Sequence, residues 1–262
     1  LSATHPTGSH PDDGGPELAA PSAAEEPTQH VGTTPTADPV APRRPTRRYA
    51  YLTDGQEIYR RSFGTVRAEL AGRLGALDPQ LATVVTRIVH AAGDTGVVDD
   101  VDAHPDVVRA AREALRAGAH VLTDSHMLAS GITARRLPAA NRVICSLRDP
   151  RVPGLAQRWG TTRAAAAVSL WEPWLEGAVV AVGNAPTALF HLLELLHDGA
   201  PRPAAVVGMP VGFIGSAESK VALAGHDLPG GPVPWLTLHG RRGGSAVAAA
   251  AINALATPEE LA

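Results

Sequence analysis

Residues 87–94 read RIVHAAGD, and three of them could do acid–base or anion chemistry: Arg87, His90 and Asp94. An imidazole titrates near neutrality and can give or take a proton there. Arg87 is a neighbour of that histidine, one helical turn away. At about 100° per residue, Leu81, Val84, Val85, Ile88 and Val89 fall on one side of a helix. Thr83, Arg87, His90 and Asp94 fall on the other. Two readings fit this stripe: a solvated polar face with the histidine against the helix dipole, or a reaction site. Periodicity alone does not separate them.

The elements that must position this stripe are legible around it. Asp78 is placed as an N-cap, Pro79 at the first helical position and Gly93 as terminator, so a helix is expected over 78–93. An earlier helix is expected over 53–74, opened by a capping box of Thr53 and Gln56, and a third over 104–118. Beyond these, short apolar runs alternate with helical stretches: HVLTDS (120–125), RVICSL (142–147), AVVAVG (178–183), AAVVGM (204–209) and PWLTLHG (234–240). Strands that are apolar throughout and separated by helices imply a parallel sheet covered on both faces. The expectation is a doubly wound, mainly parallel α/β sheet of about five strands, with N-terminal helices ahead of the first.

Several strands run into glycine- or proline-rich loops: VGNAPTA (182–188), GMPVGFIGSAESK (208–220) and HGRRGGSA (239–246). Ligands of open α/β sheets bind beyond the carboxyl ends of the strands, so these loops are expected to line a pocket. Neither the G-x-x-x-x-G-K-[ST] nor the G-x-G-x-x-G phosphate fingerprint is present. Arginines in SLRDPR (146–151), TTR (161–163) and HGRR (239–242) stand just after strands or at a helix start. Together they favour an anionic ligand over a set of ordinary surface ion pairs.

Composition bounds the remaining possibilities. The 262 residues are 44% hydrophobic, 19% charged and only 4% aromatic, so a core must be built from Ala, Val, Leu and Ile. A net charge of -3 argues against sequence-blind nucleic-acid binding. The single cysteine, Cys145, has no partner for an internal disulfide, and no zinc-ligand spacing occurs. A reduced, cytoplasmic setting is the simplest expectation. No run reaches the ~18 apolar residues of a membrane span. TRRYAYL (46–52) superficially suggests a twin-arginine signal, but polar sequence follows it. Residues 1–46 hold nine of the 23 prolines and no apolar period, which reads as a disordered Pro/Ala/Ser-rich extension ahead of an α/β domain over 47–262.

Taken together, IYRRSF (58–63), RIVHAAGD (87–94), LRDPR (147–151), VVAVGNAPTALFHLLE (179–194), GMPVGFIGSAESK (208–220) and GRRGGSAVAAAAINALA (240–256) resemble the precorrin-8X methylmutases of cobalamin biosynthesis. The resemblance runs in order from about residue 49 to 258. It implies an isomerase that moves a methyl group from C11 to C12 of precorrin-8X to give hydrogenobyrinic acid. It further implies a homodimer without a cofactor, whose pocket draws on both subunits. The catalytic histidine of the family's R-x-x-H-A string corresponds to His90. Its substrate-contacting serine corresponds to Ser62 and its arginines to Arg87 and Arg163. Ala92 stands where the family often has cysteine. Peripheral acetates and propionates of such a macrocycle would account for the scattered arginines. Two other functions stay open on the sequence: a nucleotide-dependent enzyme on a similar sheet, and a tetrapyrrole carrier without turnover.

Overall fold

A computed structural model describes residues 42–46 and 48–257. Nearly all of the 1–46 segment lies outside the described residues, and its expected disorder with it. By their contacts the residues separate into Leu1–Ala50 and Tyr51–Ala262. The described residues of the first unit are exposed and form neither helix nor strand.

The second unit opens with helices α1 (Gly55–Glu69), α2 (Ala71–Leu74) and α3 (Pro79–Ala92). Asp54 caps α1 by accepting from Gln56 N–H and Glu57 N–H, so the capping box expected from Thr53 does not form. A carboxylate directly before the helix reaches both donors without help from the residue ahead of it. Helix α3 follows the reading closely: Asp78 accepts from Gln80 N–H and Leu81 N–H, Pro79 is the first helical residue, and Gly93 adopts φ 62° at the end.

Six strands form one sheet among the described residues: β1 (Val101–Ala103), β2 (Val121–Thr123), β3 (Val143–Ile144), β4 (Val179–Val182), β5 (Ala205–Gly208) and β6 (Trp235–Leu238). Their order is β1-β6-β5-β4-β2-β3, parallel throughout except for β1, which runs antiparallel to β6. The five expected strands are β2 to β6. The sixth, β1, is three residues of a half-buried edge read as Val-Asp-Ala, too short and polar to announce itself. It places the first strand before the helix expected over 104–118, here α4 (Val107–Arg116).

The remaining helices are α5 (His126–Gly131), α6 (Val152–Trp159), α7 (Arg163–Val168), α8 (Glu172–Leu175), α9 (Pro186–His197), α10 (Ser216–Ala224) and α11 (Ser245–Ala256). Side-chain alternation divides the strands between two cores. Val121, Val179, Ala181, Val207 and Leu236 pack on one face with α1, α3, α4, α5 and α11. Leu122, Val180, Val182, Val206 and Trp235 pack on the other with α9 and α10. The sheet is thus doubly wound. Helix α11 is buried along most of its alanine-rich length, and the small side chains let backbones approach closely. A Cβ at Gly131 would lie 2.8 Å from Ala249 Cβ, so α5 and α11 meet where only glycine fits.

Candidate active site

Helices α1 and α3 pack together and bring residues 28 apart into one cluster. Ser62 Oγ lies 2.8 Å from His90 Nδ1. On α1, Tyr59, Ser62 and Phe63 sit at i, i+3 and i+4 and share a face. The Phe63 ring stacks on the His90 imidazole at 4.5 Å between centroids and 18° between planes. Tyr59 packs on Phe63 at 4.4 Å and lies 5.8 Å from His90. Below them Arg87 donates from Nη2 to Tyr59 Oη at 2.6 Å, with its guanidinium 5.8 Å from each aromatic centroid.

The solvated-stripe reading fails at Arg87, which is only 7% exposed, whereas His90 is exposed at the end of its helix. The stripe is therefore not uniformly solvated, because the guanidinium is buried while the imidazole faces solvent. Partial burial pushes the His90 imidazole below its ordinary value, and the positive charge of Arg87 pushes it the same way. The C-terminal end of α3 acts in the opposite sense, favouring imidazolium. A serine hydroxyl both donates and accepts, so Ser62 can serve either protonation state of His90. It donates to Nδ1 of the neutral ring, leaving the proton on Nε2, and accepts from Nδ1–H of the imidazolium. Nε2 makes no hydrogen bond among the described residues.

Asp94 does not face His90. It accepts Gly96 N–H at 2.7 Å and pairs with Arg242 at 3.5 Å; Arg242 also binds Asp100 at 3.0 Å. The Arg242 carbonyl accepts from the fully buried Lys220 ammonium at 2.7 Å. Burial pushes Lys220 down to about 8, with Asp100 opposing. Gly243 holds φ 150°, and a Cβ there would collide with the Met209 carbonyl oxygen. The AESK and GRRGGS strings therefore clamp the loops after β5 and β6 to each other and to the end of the His90 helix.

Arg163 is not part of the His90 cluster. It is the first residue of α7, exposed, and without an ion pair among the described residues. Of the other arginines flagged at strand ends, Arg151 is committed to Asp149 at 2.8 Å and Arg241 lies over the exposed Phe213 ring at 5.2 Å. Tyr59 and Phe63 escaped the sequence reading, although their i, i+4 spacing around Ser62 was a usable signal. Open depressions of about 760 and 460 Å³ occur elsewhere. The larger lies at the amino edge of the sheet, beside His120, Gly177 and Ala204, and neither is lined by His90. Among the described residues no group of three His, Cys, Asp or Glu could hold a metal ion. No helix among them is long and apolar enough to cross a membrane.

The phosphate-binding alternative meets a specific obstacle. In the sheet order the crevice lies between β2 and β4, because β2 leads to α5 on one face and β4 to α9 on the other. There the chain's own Asp124 carboxylate takes the N–H groups of Gly183, Asn184 and Ala185, at 3.0, 2.9 and 2.7 Å. The N–H groups that this loop would offer a nucleotide phosphate are already taken.

A doubly wound sheet with an imidazole held above a buried guanidinium is the frame of an α/β protein with a group able to take up and release a proton. Comparison with known proteins narrows this class. The family model for precorrin-8X methylmutase matches residues 57–258. The precorrin-8X methylmutase of Pseudomonas aeruginosa is 54% identical over 210 residues, covering 80% of this chain and 99% of that one. That of a Sinorhizobium species is 53% identical, covering 80% and 98%. The crystal structure of precorrin-8X methylmutase from Thermus thermophilus superposes with a TM-score of 0.67 at 38% identity, over 76% of this chain and 95% of that one. The chain belongs to the precorrin-8X methylmutase family, isomerases of cobalamin biosynthesis.

Proposed function

We propose that the protein converts precorrin-8X to hydrogenobyrinic acid with His90 as the group that gives and recovers a proton. The observation carrying this reading is the Ser62–His90 contact above buried Arg87. In the reaction the C11–CH3 bond breaks as C12–CH3 forms, and the macrocycle's double bonds shift to suit. Substrate and product have the same atoms, so a proton lent to the ring system must return. An imidazole with a depressed pKa gives its proton up readily and is a weak base until anionic substrate arrives. Carboxylates of the substrate would then raise it again, because nearby negative charge favours imidazolium.

Ser62 fixes the imidazole and reaches the substrate beside it. Arg87 supplies positive charge at the base of the site and Arg163 holds a peripheral carboxylate. We assign the activity to the domain over 47–262, with residues 1–46 outside it, and the working state to a homodimer in the cytoplasm. The dimer is favoured by an exposed apolar loop, with Phe213 84% and Ile214 90% exposed, and by a His90 that one copy leaves open to solvent. No cofactor enters the scheme. A tetrapyrrole carrier would share the binding features but not the rate. Single-turnover conversion followed in the visible spectrum therefore tests the proposal: wild-type protein turns precorrin-8X over, and a protein that binds but never converts it is a carrier.

A further inference from the structure

Adjacent residues at the end of β2 cap helices on opposite faces of the sheet. Ser125 Oγ accepts Leu128 N–H at 3.2 Å and caps α5. Asp124, 3% exposed, turns the other way and accepts the three N–H groups that lead into α9. Helix α9 needs this. Its own N-cap position is Ala185, which has no side-chain acceptor, and Pro186 follows. A carboxylate from another strand therefore does what a local Ser or Asp would ordinarily do.

The loop so held is tight. A Cβ at Gly183 would fall 2.8 Å from Leu128 and 3.0 Å from Ala248, so the backbone cannot be thickened there. One turn on, Thr187 Oγ1 lies 2.7 Å from Thr162 Oγ1. Thr162 is the N-cap of α7, accepting Ala165 N–H at 3.1 Å, and Arg163 is the next residue. Asp124 thus holds the loop at Ala185, two residues before Thr187, and the Thr187–Thr162 hydroxyl contact ties the first turn of α9 to the start of the helix that carries Arg163.

We propose that Asp124 is a positioning residue: its carboxylate occupies the anion nest entering α9 and, through Thr187 and Thr162, sets the direction of Arg163. In this role the fold's usual anion-binding backbone is spent on an internal carboxylate, and a free carboxylated ligand is left to side chains at the rim. The inference rests on the reading of Arg163 as a substrate contact. Its test therefore includes a readout independent of that reading.

In the full-length protein, Asp124→Ala vacates the nest. Amide hydrogen exchange at Gly183, Asn184 and Ala185 should speed up about tenfold or more, as expected for lost charge-assisted bonds. Sodium formate should restore protection, and formamide, similar in shape but uncharged, should not. Affinity for hydrogenobyrinic acid should fall about tenfold on Asp124→Ala, and no more than about twofold further when Asp124→Ala is added to Arg163→Ala. Fully additive losses, or equal rescue by formamide, would overturn the proposal. Should Asp124→Ala not fold, Asp124→Asn keeps the shape but turns a donor toward the N–H groups, and a folded Asn variant with native affinity and native exchange overturns it equally. If Arg163→Ala alone leaves affinity unchanged, the assignment of Arg163 has failed, and the formate-dependent exchange still decides whether Asp124 holds the loop.

Discussion

Replacing Ser62 with alanine removes its contact with His90, and the consequence of that loss is calculable. The hydroxyl meets His90 Nδ1 at 2.8 Å, a sound distance for a hydrogen bond to a ring nitrogen. Such a bond contributes a net ~0.5–1.5 kcal/mol, equivalent to about a 2- to 13-fold factor in rate if it is needed in the transition state. Ser62 is half-buried and His90 exposed, so water replaces part of the loss and the lower half of that range applies. The Phe63 stack at 4.5 Å survives the substitution and keeps the ring roughly in place. Single-turnover conversion of precorrin-8X by Ser62→Ala should therefore slow about 2- to 5-fold. Nitrogen NMR of the imidazole should show the neutral tautomer population moving off the state protonated at Nε2. Ser62→Thr should keep the tautomer of the wild type. An unchanged rate together with an unchanged tautomer would mean that Ser62 neither orients His90 nor meets the substrate.

Arg163→Ala should weaken equilibrium binding of hydrogenobyrinic acid by roughly 1–3 kcal/mol, with Arg163→Lys recovering only part of it, since a lysine lacks the planar fork; unchanged affinity would place Arg163 outside the site. Lys220 should give stability an alkaline rise. Its folded value of about 8 lies below the ordinary ~10.4, so between those pH values the unfolded chain binds the extra proton and stability climbs as pH increases. The gain is on the order of 3 kcal/mol at most, and chemical denaturation of Lys220→Met should show that slope gone; the same slope in both proteins would refute the buried-ammonium account.

Much of this was open to reading in the chain, and the exceptions have physical causes. The fully apolar runs that became β2 to β6 announced themselves because both faces of a parallel sheet are covered. Helix α3 was bounded by three independent signals, Asp78, Pro79 and Gly93, and all three operate. Strand β1 was hidden because an edge needs neither length nor hydrophobicity, only the antiparallel ladder to β6. The cap of α1 falls at Asp54, one residue beyond the expected Thr53, because both are good acceptors and sequence does not say which one points back. At the site, helical phase put Arg87 and His90 side by side but could not show that one is buried and the other exposed. That difference depends on Tyr59 and Phe63 of a separate helix. Asp124 was invisible for a similar reason, since its partners lie about sixty residues downstream.

Proton transfer by His90 is tested most directly by single-turnover kinetics of wild type, His90→Ala and His90→Asn on precorrin-8X, beside thermal unfolding of all three. A position on a bare polar stripe would cost no more than about 0.5 kcal/mol to replace. The stack on Phe63 and the contact with Ser62 raise the expected loss for alanine to about 1–2 kcal/mol, which leaves the protein folded. Both variants should still bind hydrogenobyrinic acid. Both should lose about 10²–10⁴-fold in methyl migration, because asparagine keeps a hydrogen-bonding side chain but cannot carry the proton. Conversion by His90→Asn at close to the wild-type rate would contradict this, and would show a site that works by positioning the macrocycle alone.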